Sequence, residues 1–408
     1  MICLRRCGNP LCDGGRARYL RGVSRGTQGL GLALVVWSLW GCSLLLSDDL
    51  SGVSAPRVER DAMPTATASP TPTADRSALD GSACPADLSS DPRNCGACGR
   101  TCEGSCARAV CSPRVEAEVP GLSGLAATPT SVAWSTGGAV TLNLADGGMK
   151  DLLKDTVGSE IVYGSGGILI AANSGGAGSA LLCRETGGCS RLQREIPSLK
   201  RVTGDNGNAQ MLSNGGSIYS CVSTGECSSA KLCVPSAEGP FVDFAVLGGL
   251  FFWVTGKADG RVRSVPRTSF YDSDGGYGPS GSPITDLATG VASPLGIATD
   301  SSGVVWTESG SGHIRRCAVS VEGSCVGAPV TIYEGTAQDA PSRVVSDGQS
   351  VYWIAATARS VLRCAASGCV GAPMVIMQDL AEPTRIALSL DRVYVADIGT
   401  SRVLSAPK

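Results

Sequence analysis

Short apolar runs punctuated by Gly, Asp and Ser recur over residues 294–397 in three aligned lines. Pro294, Ile297 and Asp300 precede Val304, Val305 and Trp306, and then Ile314 and Cys317. Pro341, Val344 and Asp347 precede Val351, Tyr352 and Trp353, and then Val361 and Cys364. Pro383, Ile386 and Ser389 precede Val393, Tyr394 and Val395, and then Val403 and Leu404. Runs this short, rich in β-branched and aromatic residues and bounded by turn formers, predict strands rather than helices.

The spacing between lines is 353 − 306 = 47 and then 395 − 353 = 42 residues. A unit of about 40–50 residues built from short strands is the pattern of a β-propeller blade. Earlier stretches fit more loosely: Val132–Trp134 with Val140, Ile168–Ile170 with Leu181, Met211 and Leu212 with Ile218, and Leu250–Trp253 with Val262. Taking one second-strand marker per unit gives positions 134, 170, 212, 253, 306, 353 and 395, so seven blades are expected. Six is the second choice, with residues 161–238 forming one irregular unit. The last unit runs out of chain after three strands. Arg114, Val115, Glu116, Ala117, Glu118 and Val119 alternate like a strand and resemble the fourth strands at 329–333 and 373–377, so they are expected to complete it.

Cysteine changes the picture next. The chain of 408 residues holds 19 Cys, too many for a reducing compartment without a metal role. Cys183/Cys189, Cys221/Cys227, Cys317/Cys325 and Cys364/Cys369 are spaced by 6, 6, 8 and 5 residues, each after a third strand, and are expected to be disulfide staples across a hairpin. Cys233 has no partner in this scheme and is expected in a fourth strand. A denser group, Cys84, Cys95, Cys98, Cys102, Cys106 and Cys111, occupies residues 83–113. Cys95 and Cys98 have a spacing that zinc also uses. The even count and absent His favour three disulfides, with 15 connectivities open.

Charge and hydropathy mark the N-terminus. Residues 1–41 carry six Arg and one Asp, net +5; the whole chain is −2, leaving −7 for residues 42–408. That acidic body offers no electrostatic footprint for nucleic acid. Residues 29–41 are mostly apolar but too few to span a bilayer, as expected of a signal peptide over residues 1–41. A start at Val23, with Arg25 as the charge, would make it compact. Leu39, Trp40, Gly41 and Cys42 resemble a bacterial lipobox, although Trp40 is bulkier than the usual residue there. That resemblance implies lipidation of Cys42 and a membrane anchor; an ordinary cleaved signal or a retained anchor is the alternative. Residues 42–82, with Pro64, Pro70 and Pro72 among Thr and Ala, are expected to form an extended tether. The predicted order is therefore signal 1–41, tether 42–82, disulfide-rich module 83–113 and propeller 114–408.

Two further resemblances follow from these residues. The segment from Asp91 to Cys102 is similar to a cysteine-rich module of surface lipoproteins in gliding, predatory bacteria. The repeats with Cys after the third strand resemble YWTD and NHL propellers and propeller lipoproteins of the same bacteria. They imply an envelope location and a propeller fold, and leave chemistry open, since propellers host unrelated functions.

No nucleophile elbow, phosphate loop, zinc-protease or dinucleotide motif is present. The single imidazole, His313, sits at the start of a third strand, where a solvated turn-edge residue is expected. Lyases with this fold that use His and a divalent metal find little support in one His; no cofactor is expected. Two places could bind. The insertion 266–283 carries Phe270, Tyr271 and Tyr277, and Asp272 and Asp274 resemble the start of a calcium loop without its remaining ligands. Aligned first strands also put Arg201, Asp243, Gly296, Arg343 and Arg385 at one repeated position, at the mouth of the channel. Either they hold an anion, or acidic neighbours neutralise them. The expected function is an exported envelope binding or scaffold protein whose partner is an envelope protein or glycan, anionic if the arginines are free. The alternative is a lyase or hydrolase working at the channel mouth.

Overall fold

In the computed structural model the described residues are 87–408, apart from 155–156, 165, 175–176, 187, 198, 206–207, 214–216, 223–226, 234–240, 257–259 and 267–283. They belong to one compact unit. The elements are all β, with no helix among the described residues, and so no helix there long and apolar enough to cross a membrane. Seven four-stranded antiparallel sheets form, plus a two-stranded hairpin, Cys106–Ala107 with Val110–Cys111.

We number the sheets as blades 1 to 7. Their first strands are Gly124–Ala127, Val157–Gly164, Leu199–Asp205, Phe241–Leu247, Pro294–Asp300, Pro341–Ser346 and Pro383–Leu388. Each touches the first strand of the next blade, and the seventh touches the first, so these strands form a closed ring around a channel. The chain is a β-propeller. Burial follows place in the blade. Second strands such as Gly303–Glu308 and Ser350–Ala355 are buried at every position, because a blade is covered on both faces by its neighbours. Fourth strands such as Met149–Lys154 alternate between exposed and half-buried, because one edge and much of one face meet water.

Blade 7 closes as the sequence predicts. Its order is Pro383–Leu388, Arg392–Asp397, Arg402–Pro407 and then Arg114–Glu118. Strand Arg114–Glu118 pairs antiparallel with the C-terminal strand, Val115 opposite Leu404 and Glu118 opposite Arg402. This joins the two ends of the domain and covers a strand edge that would otherwise be open.

One marker shifts. Trp134, Ile170, Trp253, Trp306, Trp353 and Val395 pair with Leu125, Ile161, Phe244, Ile297, Val344 and Ile386 of the first strands. In blade 3 the residue opposite the equivalent Val202 is Met211, not Leu212. Adjacent apolar residues leave strand phase ambiguous in sequence, and a slip of one reverses every face.

The disulfides Cys183–Cys189, Cys317–Cys325 and Cys364–Cys369 form as expected, and Cys221 lies opposite Cys227 in blade 3. Cys233 ends the fourth strand of that blade. In the cysteine module Cys95 bonds Cys106, Cys102 bonds Cys111, and Cys98 is also disulfide-bonded. The sulfurs of Cys95, Cys102 and Cys111 lie within 4.8 Å of one another, but each is already in a disulfide, so no thiolate remains there for zinc. The module rests on blades 6 and 7. Arg100 donates to the Pro407 carbonyl at 3.4 Å, Arg108 pairs with Asp379 at 2.9 Å, and Glu103 pairs with Arg392.

Candidate functional site

The seven first strands line a cavity of about 400 Å³, the central channel. Their residues fall into layers. One layer is Leu125, Ile161, Val202, Phe244, Ile297, Val344 and Ile386, all buried, which wedge between blades. The residue before each of these is charged in five blades: Glu160, Arg201, Asp243, Arg343 and Arg385. In blades 1 and 5 it is Gly124 and Gly296.

A local device aims these five side chains. The register against the second strand slips directly before four of them, between Gly158 and Glu160, Leu199 and Arg201, Phe241 and Asp243, and Pro383 and Arg385, and in blade 6 it slips across Arg343 itself, between Pro341 and Val344. A bulge re-aims the side chain that follows it. The glycines are required for a different reason. A Cβ on Gly296 would strike the Ser342 carbonyl oxygen of blade 6, and one on Gly124 would strike the Ser135 hydroxyl and crowd Ile161 of blade 2.

The charges pair with one another. Arg201 Nη1 donates to Asp243 Oδ1 at 2.6 Å and to Glu160 Oε1 at 3.3 Å, bridging the blades on either side of it. Arg343 Nη1 donates to Asp243 Oδ2 at 3.1 Å. This bond spans from blade 6 to blade 4, past Gly296. Arg385 Nη2 lies 3.9 Å from Glu160 Oε2, from blade 7 to blade 2, past Gly124. Two small positions thus let long side chains reach the second blade away. Asp243 also accepts the Phe244 amide at 2.9 Å and the Ile297 amide at 3.3 Å.

Electrostatics differ between the arginines. Burial pulls the Arg201 pKa down, but Asp243 and then Glu160 outweigh it, and the net direction is up. Arg385 moves down: burial leads, Glu160 opposes it, and Arg343 and Arg201 add repulsion.

The structure therefore brings Arg201, Asp243, Arg343 and Arg385 to one place, and it answers the expectation of neutralisation only in part, since three cations meet two carboxylates. Glu160 was missed. Six of the seven positions lie ten residues before their second-strand marker, as 170 − 160, 253 − 243 and 395 − 385 show, and Arg201 does so once Met211 replaces Leu212 as the marker, so that offset would have found it. His313 begins the strand His313–Cys317, half-buried and opposite Glu308, away from the channel lining. Phe270, Tyr271, Tyr277, Asp272 and Asp274, with Cys42 and Cys84, lie outside the described residues.

No protein-family model matches the chain, and no curated protein matches it. Solved structures do. A catalytically inactive virginiamycin B lyase from Staphylococcus aureus with quinupristin aligns at a TM-score of 0.55 and 12% identity, covering 73% of this chain and 98% of that one. A chain of a mitotic checkpoint complex aligns at 0.54 and 12%, covering 72% and 95%. YCF48 from Cyanidioschyzon merolae aligns at 0.51 and 14%, covering 72% and 98%. At these identities the likeness is one of fold, and the fold it names is the β-propeller.

Proposed function

We propose that this chain is an exported, lipid-anchored binding or scaffold protein of a bacterial envelope, and that it presents the charged end of its channel to a ligand. The observation that carries this reading is the ring of charges itself. Its two carboxylates are held by arginines, Asp243 by Arg201 and Arg343 and Glu160 by Arg201. Groups fixed in such pairs suit recognition. A general base needs a pKa poised for proton transfer, and a nucleophile needs a base beside it. The described channel lining contains neither His nor Cys. The disulfides of the blades and of the small module support an oxidising, extracytoplasmic destination. The segment ending in Cys42 supports lipid attachment.

Two experiments test the reading with the full chain in a bacterial host. A photo-cross-linking residue in place of Leu295, an exposed residue next to Gly296, should trap a component of the envelope fraction. The same residue in place of Met149, on the outer strand of blade 1, should not. No trapping at Leu295, or equal trapping at both, would overturn the binding role. Cys42→Ser should abolish labelling by a fatty acid and move the protein out of the alkaline-washed membrane fraction; unchanged partition would overturn the lipid anchor.

A further inference from the structure

Five charges on a ring cannot alternate in sign all the way round. Going round the channel the order is Glu160, Arg201, Asp243, Arg343 and Arg385. Four neighbouring relations are opposite in sign, at 3.3, 2.6, 3.1 and 3.9 Å. The fifth is not: Arg343 and Arg385 come from blades 6 and 7, whose first strands touch, and both are cations. The net charge of the ring is 3 − 2 = +1. We propose that the place between Arg343 and Arg385 is the binding site for a single carboxylate carried by the ligand, which enters the ring as its missing sixth member. The inference deepens the binding role given above and rests on it.

Three observations converge on that place. The first is access. The side chains of Arg343 and Arg385 are 22% and 26% exposed, against 9% for Arg201 and 10% for Asp243. The second is unused donor capacity. Arg385 gives Nη1 to the Thr384 carbonyl at 3.1 Å, its approach to Glu160 is 3.9 Å, and its buried Nε has no hydrogen-bond partner. A guanidinium offers five donors in a rigid fork that fits a carboxylate, and a buried donor left unused is costly. The third is repulsion, since Arg343 and Arg201 both disfavour the charged form of Arg385, and an anion between Arg343 and Arg385 would relieve it.

The same geometry sets the valence. One negative charge balances the ring, whereas a dianion would bring an excess beside Glu160 and Asp243 in a low-dielectric wall that strengthens their repulsion. A monocarboxylate therefore fits better than a phosphate or a sulfate. Below the charges the channel is walled by small residues, Ala126, Ala245, Ala298 and Ala387 among them, and its 400 Å³ falls within the range of small-ligand sites.

Acetate is the probe, chloride at equal ionic strength the control, and inorganic phosphate, buffered well above its second pKa, the dianion. In the full chain, acetate should raise the unfolding midpoint in a saturable way beyond chloride, as expected of a ligand that binds only the folded state. Carbon-13 acetate should broaden on binding, and phosphate should act more weakly. Arg385→Gln should weaken acetate at least tenfold, and Arg385→Lys, which keeps the charge and loses the fork, should fall between. Arg343→Gln should do the same, but it also removes a 3.1 Å bond to Asp243, which then keeps Arg201 alone; Arg385→Gln removes only a 3.9 Å contact with Glu160. A wild-type response equal to chloride, an unchanged response in Arg385→Gln, or tighter binding of phosphate would overturn the site. Cross-linking at Leu295 without any acetate effect would remove this site and leave the binding role. An acetate effect lost in Arg385→Gln, without any envelope partner, would support the site and remove the role.

Discussion

Arg201 and Arg385 occupy equivalent positions, yet they should respond differently to substitution. Arg201 is buried and bonds carboxylates on both sides. Arg201→Ala would leave Glu160 and Asp243 facing each other in a desolvated wall, and breaking such a pair typically costs about 3 kcal/mol or more. Arg385 bonds only the adjacent Thr384 carbonyl and keeps a long contact with Glu160, so Arg385→Gln should cost within about 1 kcal/mol. Urea unfolding of the two variants checks the contrast, and equal losses would refute it. A second residue governs acid sensitivity. Burial pushes the Asp300 pKa up, but the Ser302 and Ser346 hydroxyls, the Ser302 amide and Arg316, at 2.6 Å, together hold it below 3.8. A carboxyl whose folded pKa is depressed contributes stability that is fully present above its unfolded value and is lost as pH falls through the folded one. Stability should therefore drop below pH 3.8, and Asp300→Asn should flatten that drop when urea midpoints are followed downward through this range.

At the scale of elements, the informative one is the strand Arg114–Glu118. Its Glu116 accepts from the Ser405 hydroxyl at 2.5 Å, Arg392 donates to Ser405 at 2.7 and 3.0 Å, and Arg392 also pairs with Glu103 of the cysteine module. One polar chain thus runs from the module through the second and third strands of blade 7 to the closing strand. Removing residues 114–119 should expose the edge of strand Arg402–Pro407, and light scattering should then show oligomers or a sharply lower melting temperature. A stable monomer would show that the ring closes without this strand. The strand was legible because its alternating pattern lies outside the other repeats and is similar to their fourth strands. The blades were legible because their period is local. The phase of blade 3 was not, since Met211 and Leu212 are both apolar and only pairing with Val202 separates them.

For the whole molecule, disulfides have unequal weight. The core of the small module among the described residues is a cluster of Cys95, Cys102, Cys106 and Cys111, whereas each blade interface buries aliphatic and aromatic side chains, with Trp253, Trp306 and Trp353 at 0% exposure. Segments too short for an apolar core depend on cross-links, each contributing about 2–4 kcal/mol. Reduction should therefore make residues 87–111 sensitive to protease while the β signal of the propeller in far-ultraviolet circular dichroism persists. Simultaneous loss of both would contradict this division.

The sequence by itself determined what is periodic or local: a propeller, the strand that completes its last sheet, the cysteine pairs across hairpins, and four of the five charges at one repeated position. Only the tertiary structure decided how those charges meet. Arg385 and Glu160 are 385 − 160 = 225 residues apart, and they approach because the ring closes and Gly124 leaves room between their blades. Arg343 reaches Asp243 past Gly296 for the same reason. A repeat pattern says which residues share a level of the channel. Which of them touch depends on the curvature of the ring and the reach of each side chain, and neither is encoded in the spacing along the chain.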